Sequence, residues 1–381
     1  RAPLRPRSGT GLLVAVILLS RQSRELPTRI AGMAVAAAAG AATLSCVRLA
    51  MGVLRAPDHA EFLKKALTSI RLSFHVSDLN AAGSHFAMIS VIAFGFVLAG
   101  RRARSVWLAA SGLLLAGLWL TGSRSALAAL VIAGLLWCVW ATMNRRGTWR
   151  PIAIATIVAV VAGFVTLPLL PTVQYWSAGR TLMMRWYFTV TSLKMWMTAP
   201  IWGIGIGDYM QRSAEFMLPE LKVIHLYENA HNNFAQIGVE LGLVGLAFLL
   251  WMLIRALGRM RAGLRVSHGH PVLMGLVCGL AAFLTTWSTG HPLLVPAVAC
   301  AFWLLLGATV AHSDARTAEQ TESASMPASP ALWSTPRGWR AWLVPIGVIV
   351  VIASVPIRIP LAIGAIAMED VKYGFTPFWR H

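Results

Sequence analysis

Long apolar runs separated by short polar connections dominate this chain. The runs cover roughly residues 30–54, 81–100, 106–121, 125–143, 151–170, 233–254, 271–289, 292–311 and 341–356. Most are close to the roughly 20 residues that cross a bilayer as a helix. Residues 11–20 are apolar but too short to cross; because the chain starts with Arg1 rather than Met, we expect this run to be the remnant of a truncated helix. The pattern predicts an all-α, polytopic helical membrane protein with about ten or more transmembrane helices.

Composition supports a lipid environment. The chain is 57% hydrophobic and 12% charged, with a mean hydropathy of +0.66, whereas soluble domains carry about 25% charged residues. The net charge of +19 would suggest nucleic acid in a soluble protein. Here the basic residues cluster in short loops between apolar runs, which is typical of membrane orientation and of contact with anionic lipid headgroups. We therefore expect membrane lipids as partners and no nucleic acid.

The sequence predicts neither a metal nor another cofactor. The cysteines lie singly within apolar runs, without metal-ligand spacing. They are Cys46, Cys138, Cys278 and Cys300. The chain has no DxD motif, and its acidic residues are too scattered for a divalent-ion site.

Basic loops predict the orientation, because they mark the cytoplasmic side. Three stand out, at 101–104, 144–150 and 255–265. Counting spans between them places residues 171–232 on the outer side, so the chain divides into amino-terminal transmembrane helices (1–170), a large outer loop or cap (171–232) and carboxy-terminal transmembrane helices with a tail (233–381).

The same count places three other connections on the outer side. They are residues 55–80, 121–126 and 289–292. The Ser-, Pro- and Glu-rich residues 312–330 fall inside and are typical of a flexible linker.

The outer segment is too aromatic to be a disordered loop. Residues 180–200 predict an interfacial helix that ends just before Pro200. Its Arg180 and Arg185 either reach lipid phosphates or hold the diphosphate of a lipid-linked substrate, for which the planar fork of arginine is suited. The glycines of "GIGIGD" (203–208) predict a tight turn in which backbone approaches backbone; direct contact with substrate is the alternative.

A polar stretch, "YENAHNN" (227–233), directly precedes an apolar run. Asn232 or Asn233 can cap the start of that helix. His231 would then lie at the amino end of the helix, where the helix dipole disfavours its charged form and leaves a neutral imidazole able to act as a general base. The alternative is a histidine that merely lies at the membrane interface.

Two further charges lie at the outer ends of predicted spans. Glu240 lies about two turns into the helix that follows His231, where a carboxylate is costly and suggests function. It could pair with Arg124 of "GSRS" (122–125). Three glycines of the same helix, Gly238, Gly242 and Gly245, are spaced to share one face, which predicts close helix–helix packing.

These motifs resemble one known family. His231-Asn232, nine residues and then Gly242-x-x-Gly245 is similar to the H-[NSQ]-x9-G-x-x-G signature of the O-antigen ligase family. "GSRS" (122–125) and "RW…P-x-x-G-x-G" (185–205) also resemble that family and its polymerase relatives.

The resemblance implies a bacterial inner-membrane glycosyltransferase of the GT-C type with one large periplasmic loop. Such an enzyme moves a glycan from undecaprenyl diphosphate to lipid A–core at the periplasmic face, without metal. The family's catalytic histidine corresponds to His231, and its arginines to Arg124 and Arg185. Together with the residue patterns, this predicts a catalytic His231 and a set of substrate-binding residues. That set is Arg124, Arg185, Arg180, Asn232 and Glu240.

Two alternatives remain open. A polymerase would use the same donor but extend a second lipid-linked repeat unit, and nothing in the sequence is decisive between it and the ligase. A transporter or flippase for lipid-linked sugars would place charges and broken helices near the bilayer midplane. Here most polar groups gather near one surface instead, which favours the enzyme.

Overall fold

The computed structural model describes residues 7–68, 71–100, 103–144, 178–222 and 227–324. Within these ranges the chain forms helices and connecting segments, with no strand. Six described helices are long and apolar enough to cross a membrane. The prediction of an all-α, multi-pass membrane protein is therefore confirmed. Two of the predicted spans, 151–170 and 341–356, lie outside the described residues.

The described residues fall into two compact units. The first takes its residues from 1–161, 253–286 and 292–336, and the second from 162–252, 287–291 and 337–381. Neither unit is continuous in sequence. The three consecutive regions predicted from sequence (1–170, 171–232 and 233–381) describe the order of membrane helices and outer loop along the chain, and they stay a prediction.

The first unit is a bundle of helices. Its helices are α1 (Arg7–Ser20), α2 (Leu26–Arg55), α3 (His59–Thr68), α4 (Leu79–Ala99), α5 (Arg104–Thr121), α6 (Arg124–Asn144), the last part of α10 (Asn233–Val266), α11 (Pro271–Trp287, up to Thr286) and α12 (Pro296–Ala324), with a 3₁₀ turn at Pro292–Leu294. Helix α4 is buried along most of its length and packs on α2, α5 and α6.

Small residues allow α4 to approach α11 closely. A Cβ atom on Gly95 would lie 3.2 Å from the Cα atom of Gly275, and one on Gly279 would lie 2.7 Å from the Met88 carbonyl oxygen. Because the hydrophobic effect does not drive helices together within lipid, such close van der Waals packing contributes to the association of transmembrane helices. Asp78 fixes the start of α4, because its Oδ1 atom accepts hydrogen bonds from the amides of Asn80 and Ala81.

The second unit is built around α7 (Ala178–Thr198), α8 (Asp208–Phe216), α9 (Pro219–Lys222) and the first part of α10. Helix α7 ends two residues before Pro200, which confirms the predicted helix. Buried apolar side chains from three of these elements meet in one cluster. Its buried members are Met195, Tyr209, Ala230 and Val239.

Helix α10 is broken at Gly242, whose φ of 66° and ψ of −168° are not helical. The prediction that Gly238, Gly242 and Gly245 form one helical packing face is therefore wrong. The break turns Gly245 toward Leu241 of its own helix, where an added Cβ atom would overlap that side chain. A helical glycine spacing cannot distinguish a packing face from a break, because glycine is tolerated in both.

Two of the predicted polar connections are also helical. Residues 255–265 belong to the part of α10 that follows the break at Gly242. That part, residues 243–266, is about 36 Å long at 1.5 Å per residue and so is longer than an apolar layer of about 30 Å. The linker prediction for 312–330 is wrong over 312–324, where α12 continues. Ala, Arg, Gln and Glu favour helix there, and Asp314 pairs with Arg259 at 3.1 Å; residues 325–330 lie outside the described ranges.

Candidate active site

His231 immediately precedes the capped end of α10. The side-chain Oδ1 atom of Asn232 accepts hydrogen bonds from the amides of Phe234 (2.9 Å) and Ala235 (3.1 Å). Asn232, rather than Asn233, is thus the capping residue. His231 itself has a left-handed backbone, with φ of 49°, a conformation uncommon for residues other than glycine and asparagine. The capped turn fixes the point from which the imidazole extends.

Three side chains of the second unit surround the His231 imidazole. Its Nε2 atom lies 3.6 Å from Oε1 of Glu228. The ring centroids of His291 and Phe188 lie 4.8 Å and 4.6 Å from that of His231. The side chain remains 27% exposed, so a second molecule can reach it. The result is a half-buried imidazole with a carboxylate near Nε2 and two aromatic rings beside it, one tilted and one in an edge arrangement.

The surroundings of His231 favour the neutral ring. Burial lowers the pKa of His231; Glu228 raises it, and electrostatic interaction with His291 and Arg185 lowers it again. The direction agrees with the expectation from the helix amino terminus, although burial is the largest cause. A neutral imidazole with access to solvent is what a general base at neutral pH requires.

Glu228 and His291 are site residues that the motif-based prediction missed. The amide of Glu228 donates a hydrogen bond to Oγ of the buried Ser213, at 3.2 Å. His291 follows Gly290, whose carbonyl oxygen accepts a hydrogen bond from the Asn233 amide at 3.2 Å. Predicted sidedness gave one indication, because it placed 289–292 and the segment before His231 on the same face. It gave no indication that these two segments touch.

Arg185 lies on α7 and is half-buried. Burial lowers the pKa of its guanidinium group, and its charge in turn lowers the pKa of His231. Arg185 therefore acts electrostatically on the same imidazole, and its role in binding substrate stays a prediction. Arg180 lies in the first turn of α7, and its side chain lies outside the described part of the chain.

Glu240 is buried and engaged within the second unit. Its Oε1 atom accepts a hydrogen bond from Nε2 of Gln236 at 3.0 Å, and its carboxylate also accepts from the amides of Gly207 and Tyr209. These partners tie it to the start of α8. The predicted pairing of Glu240 with Arg124 stays a prediction.

A glycine-rich loop fills the break in α10. Gly203, Gly205 and Gly207 all have positive φ angles, of 77°, 117° and 85°. The amides of Ile204 and Gly205 donate to the carbonyl oxygens of Val239 and Glu240 at 2.9 and 3.1 Å. The predicted tight turn with close backbone approach is confirmed.

At the break, hydrogen bonds between the loop and α10 replace the hydrogen bonds that an unbroken helix would form within itself. In an unbroken helix the amides of Leu243 and Val244 would donate to the Val239 and Glu240 carbonyls. They donate instead to the carbonyls of Pro200 and Ile201, at 2.8 and 3.2 Å. The break therefore leaves these four backbone groups satisfied, and the loop sets the position of the short helical segment that starts at the His231 turn.

Arg124 belongs to the first unit, where it is the first residue of α6. It follows a turn at Gly122, whose φ of 60° ends α5. The predicted connection at 121–126 is therefore a short turn at 122–123, and residues 124–126 already belong to α6. Among the described residues, no group of three or more His, Cys, Asp or Glu side chains is arranged to hold a metal ion.

One comparison with known proteins gives a match. Residues 109–250 match the model of a family described as O-antigen ligase. The matched range contains Arg124, Arg185, Glu228, His231 and the broken part of α10. No curated protein matches the chain.

Proposed function

We propose that this chain, whose residues 109–250 match the model of the O-antigen ligase family, is a GT-C-type glycosyltransferase of the bacterial inner membrane. It transfers a glycan from undecaprenyl diphosphate to lipid A–core at the periplasmic face. The observation that carries the proposal is the half-buried imidazole of His231, whose lowered pKa favours the neutral form and which lies beside Glu228 and interacts electrostatically with Arg185.

The proposed reaction forms one glycosidic bond and breaks another, while residues of the protein take up a proton and stabilise the leaving group. The acceptor hydroxyl oxygen forms a bond to the anomeric carbon while the bond from that carbon to the diphosphate oxygen breaks. The hydroxyl proton passes to His231, and the diphosphate leaves with the bonding electron pair. Attack opposite the leaving group inverts the anomeric configuration. Arg185, with Arg180 on the same helix, offsets the charge that develops on the diphosphate.

Glu228 orients the base in this mechanism. The Nε2–H group of His231 points at the Glu228 carboxylate, which leaves Nδ1 to accept the proton. The separation of 3.6 Å is slightly long for a hydrogen bond, and such contacts tighten when substrate binds. When the ring becomes charged, the adjacent carboxylate stabilises it. Asn232 and Glu240 contribute by fixing the capped turn and the glycine loop behind it.

The broken α10 helix bears on the transporter alternative. In transporters, unwound backbone lines the substrate site and leaves groups open to bind it. Here the backbone amides and carbonyls at the break bond to residues 200–205 instead. This pattern favours a fixed scaffold beside a reacting group, and therefore the enzyme.

The polymerase alternative shares the donor and differs only in the acceptor. The test is to incubate purified protein with undecaprenyl-diphosphate-linked glycan and either lipid A–core or a second lipid-linked repeat unit. Extension of lipid A–core supports the ligase. Extension of the repeat unit identifies a polymerase, and movement of the intact donor across a vesicle membrane without transfer would replace the enzyme with a flippase.

Arg185→Lys should reduce transfer about 10- to 100-fold. Lysine keeps the positive charge but cannot form the paired hydrogen bonds of a guanidinium group, and each charged hydrogen bond is worth about 1.5–3 kcal/mol. Initial rates at several donor concentrations measure the effect. Arg212→Lys on α8 makes the same change in the same unit, at a residue outside the group around His231, and should keep wild-type rates. Equal rates in both variants would remove Arg185 from the site.

Glu228→Gln should change the pH profile as well as the rate. Glu228 raises the pKa of His231, so its loss lowers that pKa, and the acid-side fall in activity moves to lower pH. The plateau rate should drop about tenfold, because glutamine does not stabilise the charged ring as a carboxylate does. A full pH–rate profile tests both effects. An acid limb that stays in place or moves to higher pH contradicts the assigned contact.

A further inference from the structure

The side chain of Arg71 is fixed onto the "GSRS" turn within the first unit. Its Nε atom donates to the Thr121 carbonyl oxygen at 2.7 Å, and its Nη2 atom donates to Oδ1 of Asn80 at 2.9 Å. The neighbouring amide of Leu72 donates to the Leu120 carbonyl at 2.7 Å. Arg71 was not among the residues predicted from sequence. Two of these hydrogen bonds thus hold the segment against the end of α5, and the third holds it against the start of α4.

Gly122 provides the surface on which the Arg71 side chain lies. A Cβ atom at Gly122 would lie 3.0 Å from Cγ and 3.1 Å from Nε of Arg71. Its positive φ already disfavours other residues. The glycine therefore serves the turn and also makes room for the arginine stem.

Arg71 and Arg124 are brought to the same turn. Arg71 lies against Gly122, and Arg124 is two residues further along the chain, so the Cα atoms of Gly122 and Arg124 are within about 7.6 Å of each other. The charge of Arg124 lowers the pKa of Arg71, in addition to a larger effect of desolvation, while Asp78 raises it. The positive charges of Arg71 and Arg124, together with the partial positive charge at the start of α6, exceed the single negative charge of Asp78, which caps α4. The net charge at this turn is therefore positive.

The hydrogen-bond donors at this turn suit phosphate oxygens. A guanidinium group has five N–H donors. Arg71 uses two of them in hydrogen bonds to described residues, so three N–H donors remain with which it can bind an anion. The hydroxyl of Ser125, in the first turn of α6, is part-exposed and lies 3.3 Å from that of the buried Ser123. Arginine forks, hydroxyls and a helix amino terminus are the groups that proteins use to bind phosphate.

We propose that Arg71 and Arg124 together bind a phosphate or diphosphate group, and that this group is the diphosphate of the lipid-linked donor. The identification of the donor rests on the function proposed above; the anion site itself does not. Arg71 would then be a substrate-binding residue that is held in place by Thr121 and Asn80, rather than a residue that only fastens two segments together.

The test compares purified, detergent-solubilised wild type with Arg71→Gln and with Arg55→Gln. Arg55 is an exposed arginine at the end of α2 and is the matched control. Farnesyl diphosphate is titrated as the probe, with phosphatidylglycerol and inorganic phosphate as competitors. We expect Arg71→Gln to weaken farnesyl diphosphate binding about tenfold or more, since a charged hydrogen bond is lost, and Arg55→Gln to bind as wild type does.

Folding is controlled by a second variant and by kinetics. Asn80→Ala keeps the Arg71 charge but removes one of its supports, and should weaken binding by a smaller factor. In transfer assays Arg71→Gln should raise the KM for donor with little change in kcat. A purely structural role would lower the melting temperature and the amount of active enzyme, without a selective effect on donor KM.

Each outcome separates the anion site from the proposed function. Unchanged farnesyl diphosphate binding by a folded Arg71→Gln protein overturns the site. Arg71-dependent binding by a wild type that transfers no glycan supports the site and rejects the glycosyltransferase. Phosphatidylglycerol or inorganic phosphate that competes as strongly as farnesyl diphosphate overturns the assignment to the donor and identifies a membrane headgroup or free phosphate as the ligand.

Discussion

We expect the His231→Asn protein to fold normally and to transfer glycan about 10²–10⁴-fold more slowly than wild type, the usual contribution of a general base. Asparagine is the suitable replacement because His231 has a φ of 49°, a conformation that asparagine tolerates far better than alanine. It keeps the turn before α10 but offers no nitrogen that can accept a proton at neutral pH. The chemistry is therefore removed without a change in backbone strain.

His268 gives a matched control for this prediction. It is the other described residue besides glycine with a positive φ, also 49°, and it is exposed. His268→Asn should keep full activity. Single-turnover rates with bound donor, together with the melting temperature, separate loss of chemistry from loss of fold. Full transfer by a His231→Asn protein would show that another group takes the proton.

Gly242→Ala should give the largest loss of stability of any single methyl addition in the second unit. A residue other than glycine at a φ of 66° and ψ of −168° costs about 1–3 kcal/mol in backbone strain alone. An added Cβ atom would also overlap the carbonyl group of Ile201. Relief of that overlap requires the glycine loop to move away, which breaks the backbone hydrogen bonds that close the gap in α10.

The melting temperature in detergent measures this effect, with Gly238→Ala as the control. Gly238 is helical, and an added Cβ atom there meets only Leu246 Cδ2 at 3.6 Å, an ordinary contact. That change should be neutral or slightly stabilising, because alanine favours helix over glycine by about 1 kcal/mol. If both variants melt together near the wild-type temperature, the break at Gly242 does not exist in the folded protein.

The two predictions are linked through one short piece of helix. From the cap at Asn232 to the break at Gly242, α10 makes fewer than three turns, with the glycine loop at one end and His231 at the other. The buried chain of amides and carboxylate formed by Asn229, Gln236 and Glu240 runs along it. A milder change in the loop, such as Gly207→Ala, where an added Cβ atom meets nothing within 4 Å, should for this reason affect transfer as well as stability, since the imidazole must meet its acceptor at a defined distance.

Patterns local in the chain were enough to predict much of this protein. The apolar runs marked helices, Pro200 marked the end of α7, and the pair Asn232 and Asn233 marked the start of α10, because each depends only on near neighbours in sequence. The family motifs singled out His231, Arg124 and Arg185. Glycine spacing gave a wrong prediction at Gly242, and polar composition gave a wrong prediction at 312–324. In both places the same sequence is compatible with helical and with non-helical backbone.

The sequence by itself determined that the chain is a multi-pass helical membrane protein and which residue types its site contains. Only the tertiary structure decided that Glu228 and His291 meet His231, that Arg71 lies on the turn before Arg124, and that residues 200–205 replace the helical partners of α10. The physical reason is the range of the interactions. Helix propensity, capping and hydrophobicity act over a few residues, whereas these contacts join segments separated by up to about sixty positions and exist only once the chain has packed.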